Sequence, residues 1–317
     1  MRVAVTGAAG YLGRPIVAAL AAVESVDSVV AIDRRPPPAA AGVEPVRRDV
    51  RDPAIEGDIA GADVVVHLAA VVLGRGAGAH EVNFEGSRNV FRAAERGGAG
   101  AIVHASSAAA YGCAPDNPVP LTEDSPLRPL PPFYYPQTKV AVERLLDELE
   151  RRRPDLRVVR MRPVSTLGPG APVMLRGRAF LTLSDFDPLI QFTWLDDVVT
   201  AFTAAALSDA SGAFNVGAPG PVRSSEVPGL LGVRGLRVPW RLARLAAGAG
   251  SALRLPGGMH PGWADMARHP IVVDTARAER ELGWRTSCDC AEALRRFGTL
   301  LRDRAAPTTA IPKEAAR

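Results

Sequence analysis

Near-continuous apolar runs alternate along this chain with segments in which apolar residues recur every three or four positions. Val3–Val5 opens as a strand, followed by the helix-like "RPIVAALAAVESV". Next come "SVVAID", "PVRRDV" and "ADVVVHLAAVV", the last apolar almost throughout, as in strands covered on both faces. "EVNFEGSRNVFRAAERGG" predicts a helix with Val82, Val90 and Phe91 on one face, and "AIVHASSAAAYG" a fifth strand ending in hydroxyls. Then "YYPQTKVAVERLLDELERRR" predicts a long helix, with Pro136 in the first turn, where a missing N–H costs little. Strand–helix alternation of this kind predicts an α/β fold with a doubly wound parallel sheet.

A Rossmann-like domain is expected over residues 1–166, its sheet completed by about 190–218 and 271–275. Residues 167–304 are richer in Pro, Gly and Arg and predict a smaller, mainly substrate-binding subdomain. Within it, "VPWRLARLAAGAGSALRLPGGMHPGW" predicts a helix and loops over the crevice. The tail 305–317 is expected to be disordered. The first strand follows the initial Met directly, and no apolar run reaches the ~18 residues that cross a bilayer. A soluble, cytoplasmic protein without a membrane partner is therefore expected.

The first strand runs into Gly7-x-x-Gly10-x-x-Gly13 and then a helix, the setting that lets such a loop cradle a pyrophosphate. Gly7 serves the tight turn, Gly10 the close approach of phosphate and Gly13 helix packing, with Tyr11 and Leu12 between them. Asp33 ends the second strand 20 residues after Gly13, about where a carboxylate meets the adenosine ribose. It favours NAD, whereas Arg34 and Arg35 leave NADP open. Asp49 and Val50 are candidates for the adenine edge. Leu68, Ala69 and Ala70, with Pro163 and Val164, leave strands whose carboxyl ends should face the same crevice as Ser106 and Ser107.

Composition sharpens one position. Of 38 basic residues only Lys139 and Lys313 are lysine. Lys139 lies four residues after Tyr135, so a helix points both from one face. A free phenol titrates near 10, and an adjacent ammonium lowers that value. The compact ammonium also reaches a ribose in a way that a planar guanidinium does not. Otherwise 47% hydrophobic and 23% charged residues describe an ordinary globular chain. Its net charge of +4 is spread over arginines interleaved with acids, which argues against a nucleic-acid partner. Cys113, Cys288 and Cys290 have no framework or metal-site spacing, so no metal is expected.

The motifs "TGAAGYLG", "HLAA", "VNFEGSRNV", "SSAAAYG", "YPQTK", "RPVSTLGPG", "FTWLDDVVTAF" and "FNVG" resemble the extended short-chain dehydrogenases/reductases, in the NAD-dependent epimerase/dehydratase group. The resemblance implies a catalytic triad in which Ser107 orients the reacting oxygen, Tyr135 transfers the proton, and Lys139 holds the nicotinamide ribose and tunes Tyr135. It also implies that Asn83 supports the active-site helix and proton relay, and that the protein is a homodimer. Ala108 and Ala109 stand where the dehydratases of the family carry an Asp–Glu pair, which argues against elimination of water. Val164 and Ser165 stand near the Asn by which UDP-sugar epimerases bind their substrate, weakening that reading.

The expected function is hydride transfer between NAD(P) and a secondary alcohol or ketone, the substrate a specialised metabolite or other small molecule. A nucleotide-sugar epimerase with tightly bound NAD and a non-catalytic NAD(P) sensor are the alternatives. Thr166, Arg176, Gln191 and Trp194 join Ser107 as substrate candidates, with Arg178 a possible phosphate ligand. Trp240, Met259 and Trp263 are either pocket lining or lid core.

Overall fold

The computed structural model describes residues 1–72, 76–171, 175–176, 179–253 and 259–305. Six strands follow one another as β1 (Arg2–Thr6), β2 (Ser28–Asp33), β3 (Val43–Arg47), β4 (Val64–His67), β5 (Ala101–Ala105) and β6 (Arg157–Pro163). With Gly212–Val216 they form one seven-stranded sheet, ordered from Gly212–Val216 through β6, β5, β4, β1 and β2 to β3, with every neighbour parallel. The order reverses beside β1, which opens a crevice at the carboxyl ends of β1 and β4.

Period-two alternation divides the strands between two cores. Val3, Val5, Val29 and Val66 point to one face, under α1 (Gly13–Ala21) and the later helix Leu195–Leu207. Ala4, Val30, Ile32, Val65 and Ile102 point to the other, under α2 (Ile55–Ile59), α4 (Gly86–Arg96) and α5 (Tyr134–Arg152). Helix α3 (Gly76–His80) runs into a π-helical turn, Glu81–Glu85, immediately before α4.

Strand β3 ends at Arg47, so Asp49 and Val50 lie beyond the strand. Segments 190–218 and 271–275 contribute unequally. Gly212–Val216 adds the seventh strand, whereas Ile271 and Val273 make single bridges to Ile190 and Leu121 outside the sheet. The C-terminal part has its own core of Leu167, Phe192, Val227, Leu231, Leu294 and Phe297. A small sheet orders Arg234–Val238 beside Ala179–Leu183 and Leu175–Arg176. The last described helix is Cys290–Ala305, and tail residues 306–317 lie outside the described residues.

Candidate active site

The glycine loop is shaped for an approach that side chains would block. Gly7 has φ +75°, and a Cβ there would meet the Ala69 backbone nitrogen at 2.7 Å. A Cβ on Gly13 would fall 2.1 Å from the Gly7 carbonyl, and one on Gly10 2.8 Å from that same oxygen. These contacts are with backbone, so nothing can move aside cheaply. Asp33 is buried at the end of β2, where the Ala9 amide donates to Oδ2 at 3.0 Å and the Arg35 amide to Oδ1 at 2.9 Å. Arg35, rather than Arg34, adds its guanidinium to this carboxylate at 3.4 Å. The buried Tyr11 hydroxyl has no hydrogen-bond partner among the described residues. The loop, the carboxylate and this orphaned hydroxyl fit a dinucleotide.

Other candidates lie around the crevice. Asp49 is engaged by Arg51 at 2.8 Å, a bond that pulls its carboxyl below the usual range, and Val50 packs against Gly86. Leu68 donates its amide to the Thr6 carbonyl at 3.1 Å, which joins the β4 exit to β1. Ala69 lies against Gly7, Ala70 is exposed, and Val164 donates to the Val216 carbonyl at 2.9 Å just after Pro163. Among the described residues Asn83 makes no side-chain hydrogen bond to Ser107, Tyr135 or Lys139. Its amide clasps Val71 at both ends, accepting from the nitrogen at 2.7 Å and donating to the oxygen at 3.0 Å. Its carbonyl accepts from Ser87 Oγ at 2.6 Å. Ser87 in turn lies 2.9 Å from His67 Nε2, and His67 Nδ1 lies 2.6 Å from Thr6 Oγ1. Because the Asn83 carbonyl can only accept, the network assigns the proton to Nε2. Burial, then the Lys139 charge, pushes His67 down to about 3, so the ring is neutral.

Ser107, Tyr135 and Lys139 do come together. Ser107 caps the short 3₁₀ turn Ala108–Tyr111, its Oγ accepting from the Ala109 amide at 3.1 Å. Tyr135 and Lys139 point from one face of α5, with Nζ 5.9 Å from the Tyr135 ring centre. The ammonium donates to the Ala105 carbonyl at 2.5 Å, at the end of β5. Burial pushes Lys139 down to about 8, opposed by the negative charge of Glu143. The Tyr135 phenol moves opposite to the expectation from its lysine. Burial dominates and raises it, and the neighbouring Ser107 side chain pulls the other way.

Beneath the triad lies a charged network that the motif reading missed. Glu143, one turn below Lys139 and 2% exposed, pairs with Arg162 of β6 through bonds of 2.6 and 3.0 Å and also accepts from Ser106 Oγ. Arg162 further donates to the Tyr111 hydroxyl at 2.8 Å, which donates to Asn215 Oδ1 at 2.8 Å. The i,i+4 spacing from Lys139 was the available signal, since it places Glu143 on the buried face.

Above the triad, Trp263 stacks on the Tyr135 ring at 5.7 Å between centres, inclined 29°. Gly262 makes this possible, because a Cβ there would lie 2.4 Å from Phe133 Cγ. Phe133 itself stacks with His260 at 4.9 Å. Trp240 and Trp194 point to carboxylates instead, Asp265 at 3.0 Å and Asp196 at 3.2 Å. Gln191 Nε2 donates to the Ala218 and Val273 carbonyls and its Oε1 accepts from the Val273 amide at 2.8 Å. Thr166 Oγ1 donates to the Val164 carbonyl at 3.3 Å. Arg176 contributes backbone to a short strand, but its side chain, and Arg178 entirely, lie outside the described residues.

Glycine cradle, terminal carboxylate and the Tyr–Lys face of α5 define a dinucleotide-dependent enzyme of the extended short-chain class. The signature of the NAD dependent epimerase/dehydratase family matches residues 3–217, and the chain belongs to that family. It is 30% identical over 320 residues to the 4-hydroxy-2-methyl-3-oxo-4-farnesyl-3,4-dihydroquinoline-1-oxide ketoreductase of Stigmatella aurantiaca, covering 90% of this chain and 92% of that one. It is 28% identical over 325 residues to the UDP-glucose 4-epimerase of Mycolicibacterium smegmatis, covering 93% and 96%. Among solved structures, MoeE5 in complex with UDP-glucose and NAD superposes with a TM-score of 0.73 at 26% identity, covering 96% of this chain and all of that one.

Proposed function

We propose that this enzyme moves a hydride between NAD and a secondary alcohol or ketone, with Tyr135 as the acid/base. The observation that carries the reading is that Tyr135 and Lys139 point from one face of α5, the ammonium 5.9 Å from the phenol ring and Ser107 beside the phenol, while alanines occupy positions 108 and 109. Residues 7–13 would hold the pyrophosphate, Asp33 the ribose, and Pro163 and Val164 the nicotinamide side. When bound, NAD supplies the hydride donor or acceptor.

In the reductive direction Tyr135 gives its proton to the carbonyl oxygen as that oxygen gains negative charge, and Ser107 donates a hydrogen bond to the same atom. The Lys139 ammonium then stabilises the phenolate left behind. In oxidation the phenolate takes the alcohol proton. A raised phenol suits reduction, because the proton is present at neutral pH.

The ketoreductase resemblance supports this direction, as does the aromatic wall that Trp263 lays on Tyr135. Tyr135→Phe should lower NADH-dependent ketone reduction by about 100-fold or more while leaving NAD binding intact. Near wild-type turnover in that variant removes the mechanism. A second reading, epimerisation of a nucleotide sugar, is favoured by the nearly full-length likeness to the UDP-glucose epimerase. It predicts turnover of UDP-glucose with no net change at 340 nm.

A further inference from the structure

Between Glu226 and Asp265 the sequence contains no acidic residue, while Arg234, Arg237, Arg241 and Arg244 are all exposed there. The interleaving of arginines with acids seen elsewhere in the chain fails over this stretch. Inside it, the helix Trp240–Ala252 turns an apolar stripe to solvent. Leu242 is 56% exposed, Leu245 69%, and Leu253 at the C-cap 71%. Ala246 and Ala249 fall on the same face at helical spacing and are exposed too. Arg241 borders the stripe. The helix is pinned from its other side: Trp240 Nε1 and Arg244 Nε both donate to Asp265, at 3.0 and 3.2 Å, and the Arg268 guanidinium lies 4.3 Å over the Trp240 ring. The leucines are therefore held outward by a fixed helix. An exposed apolar patch of this kind marks an interaction site.

We propose that this face docks on an anionic lipid surface, with the helix lying in the headgroup plane. A leucine stripe edged by arginine, with no acid in the segment, is the pattern that buries apolar side chains at the acyl boundary while cations meet lipid phosphates. A second copy fits poorly. Isologous pairing would bring Arg241 of one molecule toward Arg241 of the other with no carboxylate in the segment to offset them. The inference stands independently of the reaction assigned above. It replaces the expectation of no membrane partner, which rested on the lack of a spanning run. No helix among the described residues is long and apolar enough to cross a membrane, but surface docking needs none. The opposite side of the helix packs on Gly262–Met266, the helix that carries Trp263 against Tyr135.

The test is co-sedimentation of the full chain with vesicles of phosphatidylcholine alone or mixed equally with phosphatidylglycerol, at low and high salt. Binding should occur only with the mixed vesicles, weaken with salt, and fall about tenfold in Leu242→Ser/Leu245→Ser and in Arg241→Glu. These residues are exposed, so an unchanged thermal midpoint should accompany the loss. No sedimentation with the anionic vesicles, or unchanged sedimentation of both variants, overturns the proposal. So does a dimer that dissociates in Leu242→Ser/Leu245→Ser, which assigns the face to a second copy.

Discussion

Beneath Tyr135, helix α5 and strands β5 and β6 fix a set of buried charges, whereas above it residues 260–263 present rings. In the floor every charge is bonded: Glu143 by Arg162 and Ser106, Arg162 by Glu143, Tyr111 and the Glu123 carbonyl, and Lys139 by the Ala105 carbonyl. The roof is held by stacking, one glycine contact and hydrogen bonds within residues 260–263, interactions that tolerate a change of shape better than buried charges do. Low dielectric makes a partly satisfied ionic floor far costlier than an imperfect aromatic roof. The floor thus sets the chemistry and the fold together, and the roof is free to vary with substrate.

The sharpest way to break this contrast is Glu143→Leu, which strands the Arg162 guanidinium in the interior. It should cost about 3–5 kcal/mol in urea unfolding, and Glu143→Leu/Arg162→Met should recover most of the loss. A loss below 1 kcal/mol would mean that the floor is not constrained as described.

Next in size is a pH effect. Lys139 sits at about 8 in the fold against an ordinary 10.5. Between those values the unfolded chain holds the extra proton, so stability should rise with pH, by up to about 3 kcal/mol. Below 8 both states are protonated and the penalty is fully present. Lys139→Met should lack this rise, which parallel unfolding curves of the two proteins at pH 8 and 10 will reveal.

The smallest effect belongs to the roof. Trp263→Phe should cost about 1 kcal/mol or less and shift apparent KM for a ketone more than kcat. A loss as large as that of Glu143→Leu would erase the distinction between the two surfaces.

Legibility in the sequence follows the same division. Strands β1, β4 and β5 could be read because both faces are buried, giving apolar runs with no other use. Strand β3 is an edge with a mostly exposed pattern, so "PVRRDV" misplaced it, and only its pairing with β2 fixes Val43 opposite Val29. The π turn at Glu81–Glu85 was hidden because its polarity matches that of an α-helix. The glycine loop and the Tyr–Lys spacing are local and could be read, but Glu143 meets Arg162 across 19 residues and Trp263 meets Tyr135 from a distant segment. Nothing in a local window encodes such meetings.

The solitude of Lys139 makes the protein its own gauge. Lys139 and Lys313 are the only lysines in the sequence, and Lys139 is 6% exposed. Burial lowers Lys139 to about 8, which gives it an uncharged, nucleophilic fraction in mildly alkaline solution, so access governs its acylation. The rate at which Lys139 itself is acetylated, followed by peptide mass without mutation or tag, would then read how readily the crevice admits reagent.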